Sequence, residues 1–446
     1  LAEALARRGL ATVLACRELP GSTHARIWAG QTVHLLSAAA TAAEAVRELL
    51  AMAPALLVVD HYDLDDEDLA ALAADLPLVV LDDLAERRCR GAALVLNGTP
   101  GVEPADYPET PCAVGAAWAL VRPCFMPPAA TARRDDRVLV LLGGTDHAGL
   151  APAAARELQR RGARPLVVGA VRGVDSGIEA TGPIPAAAVA ALMASCGRGL
   201  VSASGAALEA LAAGLPLVAL RTAGNQARLA TGLAAAGIAV YAPADLTAAV
   251  DRLLAEPPPA VPVLIDGGGP ARAAERIREI ALGTPAPLRP ACWTDSDLFL
   301  AAANDAVNRE HSFTRTTITA AEHRAWMARR LADPDSRLWV GEQAGAPLGV
   351  LRLQREGDGT AVVSIIVLPA ARGRGAGRTM LGTLAGWLRR TGFCRRVDAW
   401  IAVENRASVA LFERCGYTLR ETVLHQGRMA HRYAWVMAAA AEEGRG

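Results

Sequence analysis

The chain has 446 residues, of which 52% are hydrophobic and 21% charged, enough apolar material for more than one buried core and too much for a largely disordered protein. Its 46 basic residues, all of them Arg, balance 46 acidic ones. Zero net charge gives no electrostatic footprint for nucleic acid or an anionic membrane, and no uncharged apolar run reaches the roughly 18 residues of a membrane span.

The chain opens at Leu1 within a helical pattern, LAEALARRG, so a preceding segment is expected. From there to about residue 285, short apolar runs alternate with Ala-rich helical stretches. Runs that are apolar on both faces read as buried parallel strands. They fall at 10–16, 55–60, 76–82 and 92–97, with helices between them at 42–51 and 67–74. The series pauses at 125–136, FMPPAATARRDD, where paired Pro and a charge run predict a linker. A second series follows, with strands at 137–142, 164–169, 198–202, 215–220 and 238–241. Strand–helix alternation predicts doubly wound α/β units, and two of them predict a cleft with ligands at the carboxyl ends of the strands. A second Pro-rich break, GTPAPLRPA at 283–291, precedes a stretch of different character, richer in Trp. The resulting division is 1–128, 129–285 and 286–446. No signal peptide is evident. Eight scattered Cys form no C-x-x-C pair and no zinc spacing, which reads as reduced thiols in a cytoplasmic protein without a metal site.

Two regions carry chemistry. Near the carboxyl terminus an apolar strand runs into the turn Arg372-Gly373-Arg374-Gly375-Ala376-Gly377 and then into a long amphipathic helix. Gly permits positive φ and close approach of a ligand, and the first N–H groups of a helix face an anion such as a pyrophosphate. Arg372 and Arg374 add charge. The same pattern also serves as a plain tight turn. Upstream, the strand Val138–Leu142 ends in Gly143-Gly144-Thr145-Asp146. Ser204-Gly205 starts a helix that could hold a diphosphate, Glu209 one turn on could bind two ribose hydroxyls, and Gly224-Asn225-Gln226 follows. Ser-Gly at a helix start also reads as a simple cap.

The R-x-x-G-x-G turn after a strand resembles the acetyl-CoA signature of the GNAT acetyltransferases. The stretch from Val403 to Tyr417 (VENRASVALFERCGY) resembles their second motif. The resemblance implies an α+β domain in which the strands 362–367 and 397–403 splay apart. Pantetheine of acetyl-CoA would bond to main chain at Ile366 and Val367. Asn405 would touch the cofactor or orient the next helix. The reaction is attack of an amine on the thioester, which needs a neutral amine, a site for the oxyanion and a proton for the thiolate. Phe412 stands where the family carries its proton-donating Tyr, leaving Tyr417 or water. Glu404 is the candidate to receive the amine proton, or else a solvated carboxylate ending a strand. Asn304-Asp305, His311-Ser312-Phe313 and the run Ile318 to Trp326 resemble GNAT enzymes that acetylate 4-amino groups of nucleotide-linked 6-deoxy sugars. Part of this is shared with ribosomal-protein acetyltransferases. His311 and His323 there could touch the acceptor or be structural.

Residues 1–285 resemble the GT-B-type nucleotide-sugar enzymes, in particular the hydrolases that release UDP from UDP-2,4-diacetamido-2,4,6-trideoxy-β-L-altropyranose in pseudaminic acid biosynthesis. The matching pieces are Asp60-His61-Tyr62, Asp82 to Arg87, Gly115 to Phe125, Gly143 to Asp146 and Gly224-Asn225-Gln226. The resemblance implies a GT-B-like pair of Rossmann-type half-domains, the first truncated. The family's opening strand and its G-x-G-H loop, whose His handles the attacking water, have no counterpart, and His61 and His147 are the nearby imidazoles. UDP-sugar contacts are expected from Asp60, His61, Gly143, Gly144, Thr145, Ser204, Gly205, Glu209, Asn225 and Gln226. Together the resemblances imply a bifunctional enzyme of nonulosonic acid synthesis. It would N-acetylate a UDP-4-amino-6-deoxy sugar and release UDP hydrolytically. The alternatives are a GNAT enzyme with a non-catalytic UDP-sugar-binding module, or a protein N-acetyltransferase. The oligomeric state stays open.

Overall fold

The aliphatic runs of the first region become short parallel strands. In a computed structural model, which describes residues 1–17, 32–37, 42–126, 134–144, 146–259, 261–262 and 264–437, β1 (Val13–Arg17) pairs with β2 (Thr32–Leu36) as a separate two-stranded sheet. β3 (Leu57–Val59), β4 (Leu78–Leu81), β5 (Leu94–Asn97) and β6 (Cys112–Val114) form a parallel sheet in chain order. Leu78, Val79 and Val80 are fully buried, as strands covered on both faces require. The helix Asp66–Asp75 starts at a capping box: Asp65 accepts from the N–H groups of Glu67 and Asp68, and Asp68 accepts from that of Asp65.

The second region builds a six-stranded parallel sheet from β7 (Arg134–Leu141), β8 (Arg164–Val168), β9 (Glu179–Thr181), β10 (Cys196–Ser202), β11 (Leu217–Leu220) and β12 (Val240–Tyr241). Its order is β12-β11-β10-β7-β8-β9. The chain runs outward from β7 to one edge, crosses back and runs outward from β10 to the other, so strand order reverses between β7 and β10. Alternate residues feed opposite faces. Leu139, Leu166 and Val201 join one core, and Val138, Val140, Val167 and Leu200 join the other. Two expectations need correction. β2, β6 and β9 all lie outside the expected strands, β9 because it has no apolar run. The predicted linker 125–136 is not all linker, because Arg134–Asp136 already belong to β7; residues 127–133 lie outside the described residues.

The third region is a mixed sheet of β13 (Leu288–Pro290), β14 (Ser336–Gln343), β15 (Ala346–Arg355), β16 (Thr360–Val367), β17 (Arg396–Ala402), β18 (Thr418–His425) and β19 (Arg428–Val436). Its order is β13-β14-β15-β16-β17-β19-β18, antiparallel except for the parallel pair β16–β17. The second Pro-rich break is therefore also part structure: Leu288 is buried and pairs with Gly341 in β14. One face of the sheet packs Leu351, Leu353 and Val363 against Met380, Leu384 and Leu388 of the helix Ala376–Thr391. The other packs Val340 and Val350 against Phe299 and Met327 of the helices Ser296–Asn304 and Ala320–Ala332. The helix Gly269–Ala281 joins the regions. Its Ala273, Ala274 and Ile277 pack with Val79 and Leu94 of the first sheet, while its Glu279 bonds Arg337 of β14.

Candidate active site

The parallel ladder between β16 and β17 runs only from Thr360↔Arg396 to Val362↔Asp398. Beyond it β16 continues to Val367 in register with β15, and β17 continues to Ala402 in register with β19. The two strands thus part after Val362. On the far edge of β16 Val367 has no ladder partner, whereas Ile366, expected to bond pantetheine as well, turns its N–H and carbonyl to Val350 of β15; both residues are half-buried.

The turn after β16 brings a helix start up to this gap. Gly373 and Gly375 have φ of 73° and 82°, and a Cβ added at either would meet nothing within 4 Å. Gly375 caps the helix Ala376–Thr391 without a side-chain hydrogen bond, so its first N–H groups are left for an external acceptor. Arg374 and Arg378 are exposed beside them. Gly377 serves packing instead: a Cβ there would lie 2.9 Å from Leu411 Cδ2 and 3.3 Å from Val367 Cγ2. Arg372 does not offer its charge to a ligand in this arrangement. Its Nε donates to the Val367 carbonyl at 3.2 Å and its Nη2 pairs with Asp305 Oδ1, which holds the Asp305 carboxyl below the usual carboxylate range. Arg372 thereby ties the strand end to Asp305, whose carboxylate also accepts from the N–H of Asn308. Open space, uncapped N–H groups and exposed guanidinium groups suit a pyrophosphate, so these residues fit acetyl-CoA.

The second motif is placed as follows. Asn405 Oδ1 accepts from the Ser408 N–H at 3.0 Å and caps the helix Arg406–Arg414, so its orienting role is the visible one. Glu404 is exposed and accepts from Arg428 Nη2 at 3.2 Å. Tyr417 lies in the core, its ring edge-on to Phe412 at 4.9 Å. Burial pushes its hydroxyl far above the ordinary tyrosine value. A phenol so reluctant to ionise is a poor proton donor to a thiolate.

A cavity of about 350 Å³ opens on the face of β15 and β16 away from the helix Ala376–Thr391. Val350, Arg352, Ser364 and Ile366 line it from the sheet; Phe299, Ala303, Arg309, Ile318, Glu322, His323 and Trp326 line it from the helices and their connections. Ile366 belongs both to this cavity and to the parted edge. His323 is 4% exposed and its Nδ1 lies 3.2 Å from Ser296 Oγ. Burial holds its pKa below the usual histidine value and keeps the imidazole neutral. His311 is not among the lining residues. Arg309, Arg352 and Ser364 were not singled out from sequence. The signal available was a guanidinium at 352 between the apolar residues Leu351 and Leu353 of one strand.

In the α/β part, Leu141 and Val201 are register partners, so the segments leaving β7 and β10 emerge side by side where strand order reverses. Gly143 has φ of 96° and neither Gly143 nor Gly144 has an atom within 4 Å of an added Cβ. Ser204 accepts from the Ala206 N–H and shares a hydrogen bond with Ser202, acting as cap to the helix Gly205–Ala212. Glu209 accepts from Arg122 at 2.6 Å, and burial pushes its carboxyl upward against that pairing. Gln226 Oε1 accepts from the Thr222 N–H, and Asn225 is exposed. Asp60 and His61 sit after β3 on the other sheet, both exposed; partial desolvation and then Asp83 raise the Asp60 pKa. Thr145 lies outside the described residues. Among the described residues no group of three His, Cys, Asp or Glu could hold a metal ion, and no helix is long and apolar enough to cross a membrane.

The parted parallel strands and the uncapped helix N-terminus at their mouth fall within a stretch of the chain that a family model matches. The model of the acetyltransferase (GNAT) family matches residues 300–417, and this part of the chain is a GNAT N-acetyltransferase domain with acetyl-CoA as its cofactor. Spermidine N-acetyltransferase from Vibrio cholerae, solved with CoA and spermine, is 20% identical, covering 33% of this chain and 94% of its own, with a TM-score of 0.31. The protein yncA from Salmonella typhimurium, solved with acetyl-CoA, is 25% identical over 36% of this chain and 98% of its own, with a TM-score of 0.30. An N-acetyltransferase from Staphylococcus aureus Mu50 is 24% identical over 33% and 96%, with a TM-score of 0.30. No curated protein matches the chain.

Proposed function

We propose that the chain transfers acetyl from acetyl-CoA to the 4-amino group of a UDP-linked 6-deoxy amino sugar, and that residues 1–285 form a GT-B-like unit that hydrolytically releases UDP from the diacetamido product. Both steps would serve nonulosonic acid synthesis. The observation that carries the transferase half is the parting of β16 from β17 after Val362 beside the uncapped helix at Gly375. Support for the α/β half comes from the strand order β9-β8-β7-β10-β11-β12 and the grouping of Gly143, Gly144, Ser204 and Gly205 where that order reverses.

Bound acetyl-CoA supplies an acetyl thioester open to attack by an amine. The N–H groups of Ala376 and Gly377, with Arg374 and Arg378, would hold the pyrophosphate. The unpaired edge of β16 at Val367 would hold the pantetheine arm by main-chain hydrogen bonds. Arg372 and Asp305 fix the strand end that does this. The acceptor amine would approach the thioester through the cavity that Ile366 lines. It must lose a proton there; Glu404, outside the lining, would receive it through water, since burial opposes protonation of His323 in the lining, and the departing thiolate would take its proton from water.

The test is a mass-spectrometric assay of the chain with acetyl-CoA and UDP-4-amino-4,6-dideoxy-N-acetyl-altrosamine. An acetylated free sugar plus UDP is the expected result. An acetylated UDP-sugar without UDP release reduces the α/β part to a binding module. No acetylation of the sugar, with acetylation of a peptide amine, overturns the proposal in favour of a protein acetyltransferase.

A further inference from the structure

Antiparallel partners on β15 and β16 share a face, and the pairs Val350↔Ile366 and Arg352↔Ser364 put these four side chains together over the cavity. Three of them are apolar or small. The fourth is a guanidinium, and a charge removed from water is costly unless something pairs with it. Among the described residues Arg352 has no carboxylate within ion-pair distance, and its Nε is shielded from water without a hydrogen-bond partner. Its guanidinium carbon stands 5.9 Å from the Trp326 ring centre. The charge that bears on it is another cation, Arg330.

Arg309 repeats the pattern from the opposite wall. Its Nη1 donates to the carbonyls of Thr314 and Thr316 and its Nη2 to Ser312, yet its Nε is buried and unbonded. The one acid of the lining, Glu322, is exposed, and its Oε2 accepts from the N–H and hydroxyl of Thr319, at 2.9 and 2.7 Å. The cavity therefore has two cations with buried unused donors and one anion at its exposed rim. A polycationic acceptor would add repulsion to it, whereas an anionic oxygen group would supply the missing partner.

We propose that this cavity is the acceptor pocket and that it selects an amine carried on an anionic molecule, whose phosphate or carboxylate sits on Arg352 with Arg309 behind it. The inference rests on the acetyl-transfer reading and adds the residue that chooses the acceptor. Ile366 at the parted edge sets the amine's end of the pocket, and Arg352 sets the anion's end.

The experiment is calorimetric binding to the full chain saturated with CoA. The probes are glucosamine, glucosamine 6-phosphate, the carboxylate-bearing muramic acid, and spermine. CoA binding is measured first and by itself. Its absence would sink the transferase reading, a failure distinct from any result with the amines. Given CoA binding, at least one anionic amino sugar should bind about tenfold tighter than glucosamine or more, the scale of one charge-assisted hydrogen-bonded contact, and spermine should bind weakest. Which of the two anionic probes leads tells phosphate from carboxylate recognition. Arg352→Met should erase the preference while leaving CoA affinity intact, and Arg352→Lys should restore part of it. Equal binding of glucosamine and both anionic probes, tighter binding of spermine, no binding of any probe to a CoA-loaded chain, or a preference surviving in Arg352→Met would each overturn the proposal.

Discussion

Gly375 has a left-handed backbone with open space in front of it, which separates two effects that usually coincide. Gly375→Ala should cost about 1–2 kcal/mol of stability from the conformation alone, since a Cβ clashes in that region for any L residue. Gly375→Glu adds bulk and negative charge where the pyrophosphate is to sit. Isothermal titration with acetyl-CoA should find binding to that variant lost, and to Gly375→Ala retained; unchanged affinity in Gly375→Glu would remove the turn from the cofactor site. His323 gives a prediction in pH. Its folded pKa is depressed by burial, so the unfolded chain binds the proton better at low pH. Its contribution is neutral above the unfolded value near 6.5, and stability is lost as pH falls below that. His323→Gln should therefore flatten the fall in urea-unfolding free energy between about pH 7 and pH 5 relative to the unsubstituted chain. An identical slope in both would mean that the imidazole is solvated.

At the scale of elements, the helix Arg406–Arg414 supports the cofactor turn through Leu411, which packs on Gly377. Asn405 caps that helix, so Asn405→Ala should cost about 1 kcal/mol. Acetyl-CoA affinity should fall with it if the helix start shifts, and Asn405→Asp should preserve both, as read by thermal melts and titration. This strand–turn–helix region was legible in the sequence because its signals are local: a strand, glycines at fixed offsets and a cap residue. The parallel strands were legible for the same reason, since Leu78 to Leu81 and Val138 to Leu141 are continuous aliphatic runs. Legibility ended where partners are distant in sequence. Arg372 reads as a ligand for phosphate until Asp305, 67 positions away, is seen to hold it. Glu209 reads as a free carboxylate until Arg122 arrives from 87 positions away. The acceptor cavity draws on two strands and three helices, so no window of sequence contains it. β9 was missed because Glu179–Thr181 is an edge strand without an apolar run.

The helix Gly269–Ala281 ties the first region to the third: it packs apolar residues under the first sheet and turns acids toward the GNAT sheet. Glu275 accepts from both Nη atoms of Arg355 at 2.9 Å. Glu279 is buried and accepts from Arg337 Nε at 2.9 Å, Arg337 Nη2 at 2.8 Å and Arg276 Nη1 at 2.8 Å. Arg337 and Arg355 both lie against the Phe393 ring, at 4.6 and 4.2 Å. Further contacts run between main chain and side chain, with Trp118 Nε1 donating to the Ala332 carbonyl at 2.8 Å. A transferase domain joined by a loose tether would need none of these. Buried Arg337 and half-buried Arg276 share the single carboxylate of Glu279, so its loss leaves both guanidinium groups without that anion, and Arg337 with only the carbonyls of Pro334 and Ser336. Glu279→Ala should then cost about 3–5 kcal/mol, the range for breaking a buried ion pair from one side. The loss should concentrate at this contact, because the core of the GNAT sheet does not include the helix. Calorimetric unfolding of the chain should accordingly pass from one joint transition to two separate ones in Glu279→Ala, the later one still shifted upward by acetyl-CoA. A single transition lowered as a whole, with both parts still melting together, would show that the apolar packing of Ala273, Ala274 and Ile277 carries the coupling and that the ion pairs only decorate it.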